Sequence, residues 1–311
     1  MKNYYIIPLL IYHVFGFAQE APKPFESELT TLFPNVRDIA ISPNGNEMLF
    51  TAQSVMGKLS VIISVGKEDG SWNSPEVASF SGTHFDLEPF YAPDGLKLYF
   101  VSRRPLDQTQ TEQKDFDIWY VERENLHSEW SIPKNMGSPI NTEYGEFYPS
   151  ISHSGNFYFT RDDTSKNRKD DIYVSIFNDG SYESPVPLPN AINSDSYEYN
   201  AFIAPDESYL LFGGYNREDG LGSGDIYISR RSNTGWSKAE NLGPNINSDK
   251  MDYCPFVKND TLYFTSKRDH TLVEQETPLN IKKLLIEFNR TDNGSSKLYS
   301  VPFYGSKTFK D

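Results

Sequence analysis

Carboxylates and cationic side chains recur at matched places along this chain. Glu88, Glu146, Glu198 and Asp252 each open a short apolar stretch, and Arg103, Arg104, Arg161, Arg217, Lys267 and Arg268 follow the next one. Such side chains do two kinds of work. Left open around a concave mouth, alternating charges recognise a polar or ionic ligand. Drawn together, each acid pairs with a base and simply holds the structure, and recurrence in every copy of a repeat is what that second use predicts.

Dedicated catalytic patterns are missing. Beyond residue 18 the histidines are His84, His127, His153 and His270. His127 and His153 fall in tight turns away from the acidic entries, so a clustered three-histidine metal site is not expected. Neither a G-x-S-x-G elbow nor an H-E-x-x-H helix occurs. Tyr144, Tyr197, Tyr199 and Arg161 are the groups a tyrosine- or arginine-based lyase would use, but no motif selects them. Asp115-Phe116-Asp117, Asp162-Asp163 and Lys169-Asp170-Asp171 supply hard oxygens that could hold calcium, or that cap turns. The expectation is therefore no catalytic set, no metal ligands and no cofactor, with calcium the one ion the composition leaves open.

The elements that must position these residues repeat. One block reads as an acidic entry, an apolar strand, a Pro-Asp-Gly-like turn, an aromatic strand, a polar loop, Asp-Ile-Tyr, and Trp-Ser-x-Pro. Full copies carry Pro93-Asp94-Gly95, His153-Ser154-Gly155 and Pro205-Asp206-Glu207, followed by Asp117-Ile118-Trp119, Asp171-Ile172-Tyr173 and Asp225-Ile226-Tyr227. Weaker copies flank them at Pro43-Asn44-Gly45 and around Val257. The turn positions 43, 93, 153, 205 and 257 lie 50, 60, 52 and 52 residues apart by subtraction, the length of one four-stranded propeller blade. Trp72, Trp130, Tyr182 and Trp236 begin outer strands, where proline is tolerated and blocks edge pairing.

The fold expected is all-β: a β-propeller of about five four-stranded blades. Its last blade lacks a clear outer strand, while residues from Phe25 to Phe33 look like an orphan one, so the N-terminal segment should close the ring. Six blades would follow if Leu279 to Phe303, with its Asn293-Gly294 turn, formed a further hairpin.

These blocks resemble the PD40 (WD40-like) repeats of the TolB-like propeller family. The resemblance covers nearly all of the chain after residue 18, and the Asn190-Ala191-Ile192-Asn193-Ser194 and Asn245-Ile246-Asn247-Ser248 loops look like its Bacteroidetes branch. It implies an exported propeller that works through contacts with envelope proteins or glycans. More distant members are lyases of acidic sugars. The chain has no room for TolB's extra domain or for a peptidoglycan-binding tail, so neither role carries over.

Residues 1–18 read as a secretory signal peptide: Lys2, an apolar run from Tyr4 to Phe17, and Gly16-Phe17-Ala18 as the cleavage site. Residues 19–311 then form one domain, periplasmic or secreted. No later stretch approaches the ~20 apolar residues of a membrane span. Cys254 is the only cysteine, so no intramolecular disulfide is possible, and its neighbours mark it as a buried small hydrophobe. With 43 acidic against 29 basic side chains the net charge is −14, which repels nucleic acid. The function expected is non-catalytic binding of a protein or glycan through the charged rim. The alternative is a carbohydrate-active enzyme, a polysaccharide lyase or glycoside hydrolase, on the same scaffold.

Overall fold

The computed structural model describes residues 20–107, 114–165, 170–272, 274 and 278–305. The signal-like segment 1–18 lies outside them. Five antiparallel sheets follow one another along the chain as blades 1 to 5, each counted outward from its inner strand. The inner strands are Asn35–Ile41, Asp86–Tyr91, Gly145–Ile151, Tyr197–Ile203 and Asp252–Lys258. The second strands are Glu47–Gln53, Lys97–Ser102, Phe157–Asp162, Tyr209–Tyr215 and Thr261–Ser266, and the third begin at Ser60, Asp117, Asp170, Asp225 and Lys297. Inner-strand starts and second-strand ends share one side of the molecule, the entry face. The tight turns lie on the other side, the turn face.

One place in each second strand carries the core between blades. Phe50, Phe100, Phe159, Phe212 and Phe264 are each fully buried and sit opposite Ile63, Trp119, Tyr173, Tyr227 and Tyr299 on the third strands. Alternation puts these rings on one face of each sheet. Each buried ring contributes roughly 2–3 kcal/mol. On the axis, Phe90, Phe202 and Phe256 meet edge-on or tilted, with ring centroids 6.4, 6.2 and 5.6 Å apart. They close the channel toward the turn face.

The first blade is tied to the last as the sequence suggested, with a shift in detail. The outer strand of blade 5 is Lys23–Pro24, paired with Ser300 and Tyr299, rather than the stretch from Phe25 to Phe33. That stretch crosses the entry face and holds a short helix, Ser27–Thr30. It is pinned by Lys297, 4 % exposed, whose Nζ donates to the carbonyls of Phe33 at 2.6 Å, Pro34 at 3.2 Å and Thr30 at 3.5 Å.

There is no sixth blade among the described residues. Ile281–Phe288 is a helix, capped by the Asn280 side chain accepting from the Lys283 N–H, and Lys297–Pro302 is the third strand of blade 5. The last tight turn also falls two residues beyond Val257. Lys258 pairs with Thr261, leaving Asn259 and Asp260 as a two-residue turn with φ of 48° and 55°, the left-handed pair that such hairpins require.

Candidate functional site at the channel mouth

The entry acids and the arginines that follow them come together pairwise within each of blades 2 to 5. Arg104 meets Asp86 at 2.8 Å, Arg161 meets Glu146 at 2.9 Å, Arg217 meets Glu198 at 2.8 Å and Arg268 meets Asp252 at 3.4 Å. Each guanidinium lies over the aromatic pair of its own blade: Phe159 and Tyr173 under Arg161, Phe212 and Tyr227 under Arg217. All four acids are fully buried. Burial pushes the Glu146 carboxyl up to about 7, against hydrogen bonds from Thr142 and the charge of Arg161, and it raises Glu198 and Asp252 for the same reason.

The Asn-Ser loops explain themselves in this setting. Asn141, Asn193 and Asn247 accept the N–H of Ile118, Ile172 and Ile226 and donate back to the same residues' carbonyls. Thr142, Ser194 and Ser248 then donate hydroxyl and backbone N–H to Glu146, Glu198 and Asp252. The motif thus locks the third strand of one blade to the entry acid of the next.

Two predicted rim residues stand apart. Arg103 donates to the Lys114 carbonyl at 3.1 Å and covers the Phe116 ring. Lys267 is exposed, with no ion pair among the described residues. Glu88 is not an entry acid at all. Asp86 holds that place in blade 2, and Glu88 sits two residues further along, where every inner strand carries a left-handed residue: Asp38 (φ 58°), Glu88 (58°), Tyr148 (50°), Asn200 (52°) and Cys254 (53°). At each of these the register shifts by a bulge, a device that re-aims a side chain. Here it gathers the polar groups at the channel.

Blade 1 breaks the pattern and supplies the centre. Val36 stands where the other blades have their entry acid, and the next residue is Arg37, where they have Leu87, Phe147, Tyr199 and Tyr253. Arg37 Nε donates to both oxygens of Asp38 at 2.7 Å, and its Nη2 reaches Glu88 at 2.7 Å and Cys254 Sγ at 3.5 Å. The Cys254 thiol donates to Asp38 at 2.7 Å. Asn200 Nδ2 donates to Glu88 at 3.2 Å. Burial pushes Glu88 up to about 7, with Arg37 opposing the rise and Asp38 adding to it. Burial, with Asp38 beside it, also holds the Cys254 thiol well above its ordinary value, so it is a neutral donor rather than a nucleophile.

Arg37, Asp38, Tyr148, Asn200 and Cys254 were not read from the sequence as one site. Counting five residues back from Pro43, Pro93, His153 and Pro205 gives Asp38, Glu88, Tyr148 and Asn200, a signal hidden by comparing acids with acids. The tyrosines named for a lyase are spread out. Tyr197 packs edge-on against Tyr215, the Tyr144 N–H donates to Thr142 Oγ1, and the Tyr199 hydroxyl is buried without a partner among the described residues. Among the described residues no three His, Cys, Asp or Glu side chains converge as a metal site requires. Asp117, one of the proposed calcium oxygens, is held by Lys114 and Asn135.

No protein-family model matches this chain, and no curated protein does. Solved structures do resemble it. A glycoside hydrolase superposes with a TM-score of 0.53 at 8 % identity, covering 94 % of this chain and 93 % of its own. An α-L-arabinofuranosidase from Lactobacillus brevis covers 88 % of this chain and 92 % of its own at 13 % identity and a TM-score of 0.48. At such identities the likeness is one of fold alone, and it is the five successive sheets that make this a five-bladed β-propeller.

Proposed function

We propose that this protein is an exported, non-catalytic propeller that binds a protein or glycan partner at its entry face. The observation carrying this reading is the arrangement around Arg37. One guanidinium engages both channel carboxylates, Asp38 and Glu88, which are 1 % and 3 % exposed. Each entry acid has an arginine of its own. A glycosidase needs one carboxyl free to protonate the leaving group and another to act as base or nucleophile, and here the channel and entry carboxyls are each committed to an arginine. The mouth offers recognition instead, with half-buried Phe116, Phe147 and Tyr199, rings that combine apolar area with little entropy to lose.

The resemblance to PD40 and TolB-like repeats and the signal-like first 18 residues support a periplasmic or secreted site of action, with an envelope protein or glycan as partner. The acidic charge argues against nucleic acid. Among the described residues no helix is long and apolar enough to cross a membrane.

One observation favours a second reading, a carbohydrate-active enzyme. Glu88, with its carboxyl raised to about 7, shares a guanidinium with the carboxylate of a neighbouring inner strand. A ligand that drew Arg37 aside would leave an acid and a base together on the axis. The test is to incubate residues 19–311 with neutral and acidic polysaccharides, following heat of binding, chromatographic products and absorbance of unsaturated sugar ends. Products lost in Glu88→Gln would replace the binding reading with the enzymatic one. Heat without products identifies a glycan partner; silence in both directs the search to envelope proteins.

A further inference from the structure

The entry face carries a second feature that channel chemistry does not use. At the seam of blades 5 and 1, large apolar side chains stand in solvent: Val55 is 73 % exposed, Met56 81 %, Ile281 70 %, Leu285 51 % and Phe288 65 %. The first two occupy the connection between the second and third strands of blade 1. The others lie on the helix Ile281–Phe288, within the corresponding connection of blade 5, and that helix buries none of its residues. The two connections are joined at their base. Asn35 Nδ2 donates to the carbonyls of Ser54 and Val55, while Asn35 Oδ1 accepts the N–H of Ser296. Ile281, Leu285 and Phe288 fall on one stripe of the helix by its 3.6-residue period.

This corner lacks the acidic excess of the whole chain: residues 267–296 carry five basic and five acidic side chains, and Lys58 stands on the other connection. Lys58, Lys267, Lys282 and Lys283 are exposed and have no ion pair among the described residues, in a protein whose net charge is −14. The neighbouring acids Glu287 and Asp292 are tied to Arg290, and Asp292 also to His270. Asp269, Glu274 and Glu276 remain on the same connection, three acids against the four lysines. Apolar side chains standing in solvent, an amphipathic helix that none of the described residues covers, and lysines around them without an ion pair among those residues are the chemistry of adsorption to an anionic lipid surface. A protein partner with a complementary apolar groove would instead be matched to a continuous patch, whereas these side chains stand on two separate projections.

We infer that the blade 5 and blade 1 connections seat this protein on an anionic membrane surface, with Met56 and Phe288 entering the interface and Lys282 and Lys283 meeting lipid headgroups. The channel mouth then faces the bilayer. This seating does not depend on what the mouth binds, and either reading of the channel can fail without it.

The experiment is co-sedimentation of residues 19–311 with vesicles of phosphatidylcholine alone or with about one-third phosphatidylglycerol. Residues 1–18 are left out so that their apolar run cannot bind lipid itself. Binding is expected on the anionic vesicles only, and weakened by salt. A lysine near such a surface is worth a factor of about five, so Lys282→Glu with Lys283→Glu should reduce partitioning by more than about tenfold. Met56→Asp with Phe288→Asp should abolish it while the melting temperature holds, since neither residue is packed. Equal binding to both vesicles, or binding unchanged in these variants, overturns the inference. So does a dimer, seen by light scattering without lipid, that Met56→Asp with Phe288→Asp dissolves, because a second copy of the chain would then own the patch.

Discussion

Glu88 accepts the backbone N–H of Tyr148 at 2.7 Å, a place filled by threonine at three other seams between blades. Thr265 takes the N–H of Asp38, Thr51 that of Glu88, and Thr160 that of Asn200, at 3.1–3.3 Å. In blade 2 the equivalent residue is Val101, opposite Leu87 in the same register. A buried N–H without an acceptor is costly, and the second oxygen of Glu88 supplies what valine lacks. The first oxygen serves Arg37 and Asn200. A carboxylate so divided is part of the frame.

Replacing it should therefore cost more than a surface acid would. Glu88→Ala leaves Arg37 without one of its counter-charges and the Tyr148 N–H without an acceptor, for a loss of about 3–5 kcal/mol in urea unfolding. Adding Val101→Thr restores the seam that the other blades use and should return about 1 kcal/mol. If the double variant is no more stable than Glu88→Ala, the seam argument is wrong.

The raised carboxyls set a pH dependence of definite sign. Glu88 and Glu146 titrate near 7 in the fold, against about 4.3 unfolded. The folded chain holds these protons more tightly, so their contribution is complete below about pH 4 and is lost as pH rises through 7. Asp206, Glu207 and Asp292, lowered by their partners, act in the opposite sense and only at more acid pH. Melting should therefore be higher at pH 5.5 than at pH 8, by the equivalent of roughly 1–3 kcal/mol per raised group. Glu146→Gln should flatten that slope; an unchanged slope would place the titration elsewhere.

Sequence reading reached the architecture because architecture is written in every blade. The second-strand phenylalanines, the tight turns and the Asp-Ile-Tyr starts recur with the blade, and periodicity is visible without coordinates. The centre is legible only in part because it depends on differences between blades. Arg37 matters because four other residues at its position are apolar or aromatic, and Cys254 matters because it meets Asp38 across the closed ring, 216 residues away in sequence. The helix Ile281–Phe288 falls where the sequence left a sixth-blade hairpin open, because its apolar run is short and short runs do not distinguish the two periods.

Ring closure should be the weakest joint. Lys297 ties three carbonyls of the crossing segment together, and Phe25 packs edge-on against Tyr263. Lys297→Met keeps most of the apolar stem but leaves those carbonyls short of a donor, costing about 2–3 kcal/mol. A chain starting at Ser27 loses the Lys23–Pro24 strand as well and should be cleaved by trypsin far faster than the chain starting at residue 19. Equal protease resistance would mean that the ring closes without its N-terminal strand.

Blade 4 has neither threonine nor carboxylate at its seam, and the reason is Tyr199. Gly213 takes the threonine position, and a Cβ placed there would lie 2.6 Å from the Tyr199 ring, while one on Gly224 would lie 2.6 Å from its hydroxyl. The two glycines form a slot for the ring. Gly213→Ala should thus destabilise by about 1–3 kcal/mol through overpacking, and Tyr199→Ala in the same chain should relieve part of that cost, a coupling of at least about 1 kcal/mol in the double-mutant cycle. Tyr199→Phe separates packing from chemistry. The hydroxyl is buried without a partner among the described residues, so its removal should leave stability equal or higher. A Tyr199→Phe variant that folds normally yet loses binding or turnover would show that a ligand, rather than the protein, completes this hydroxyl's hydrogen bonds.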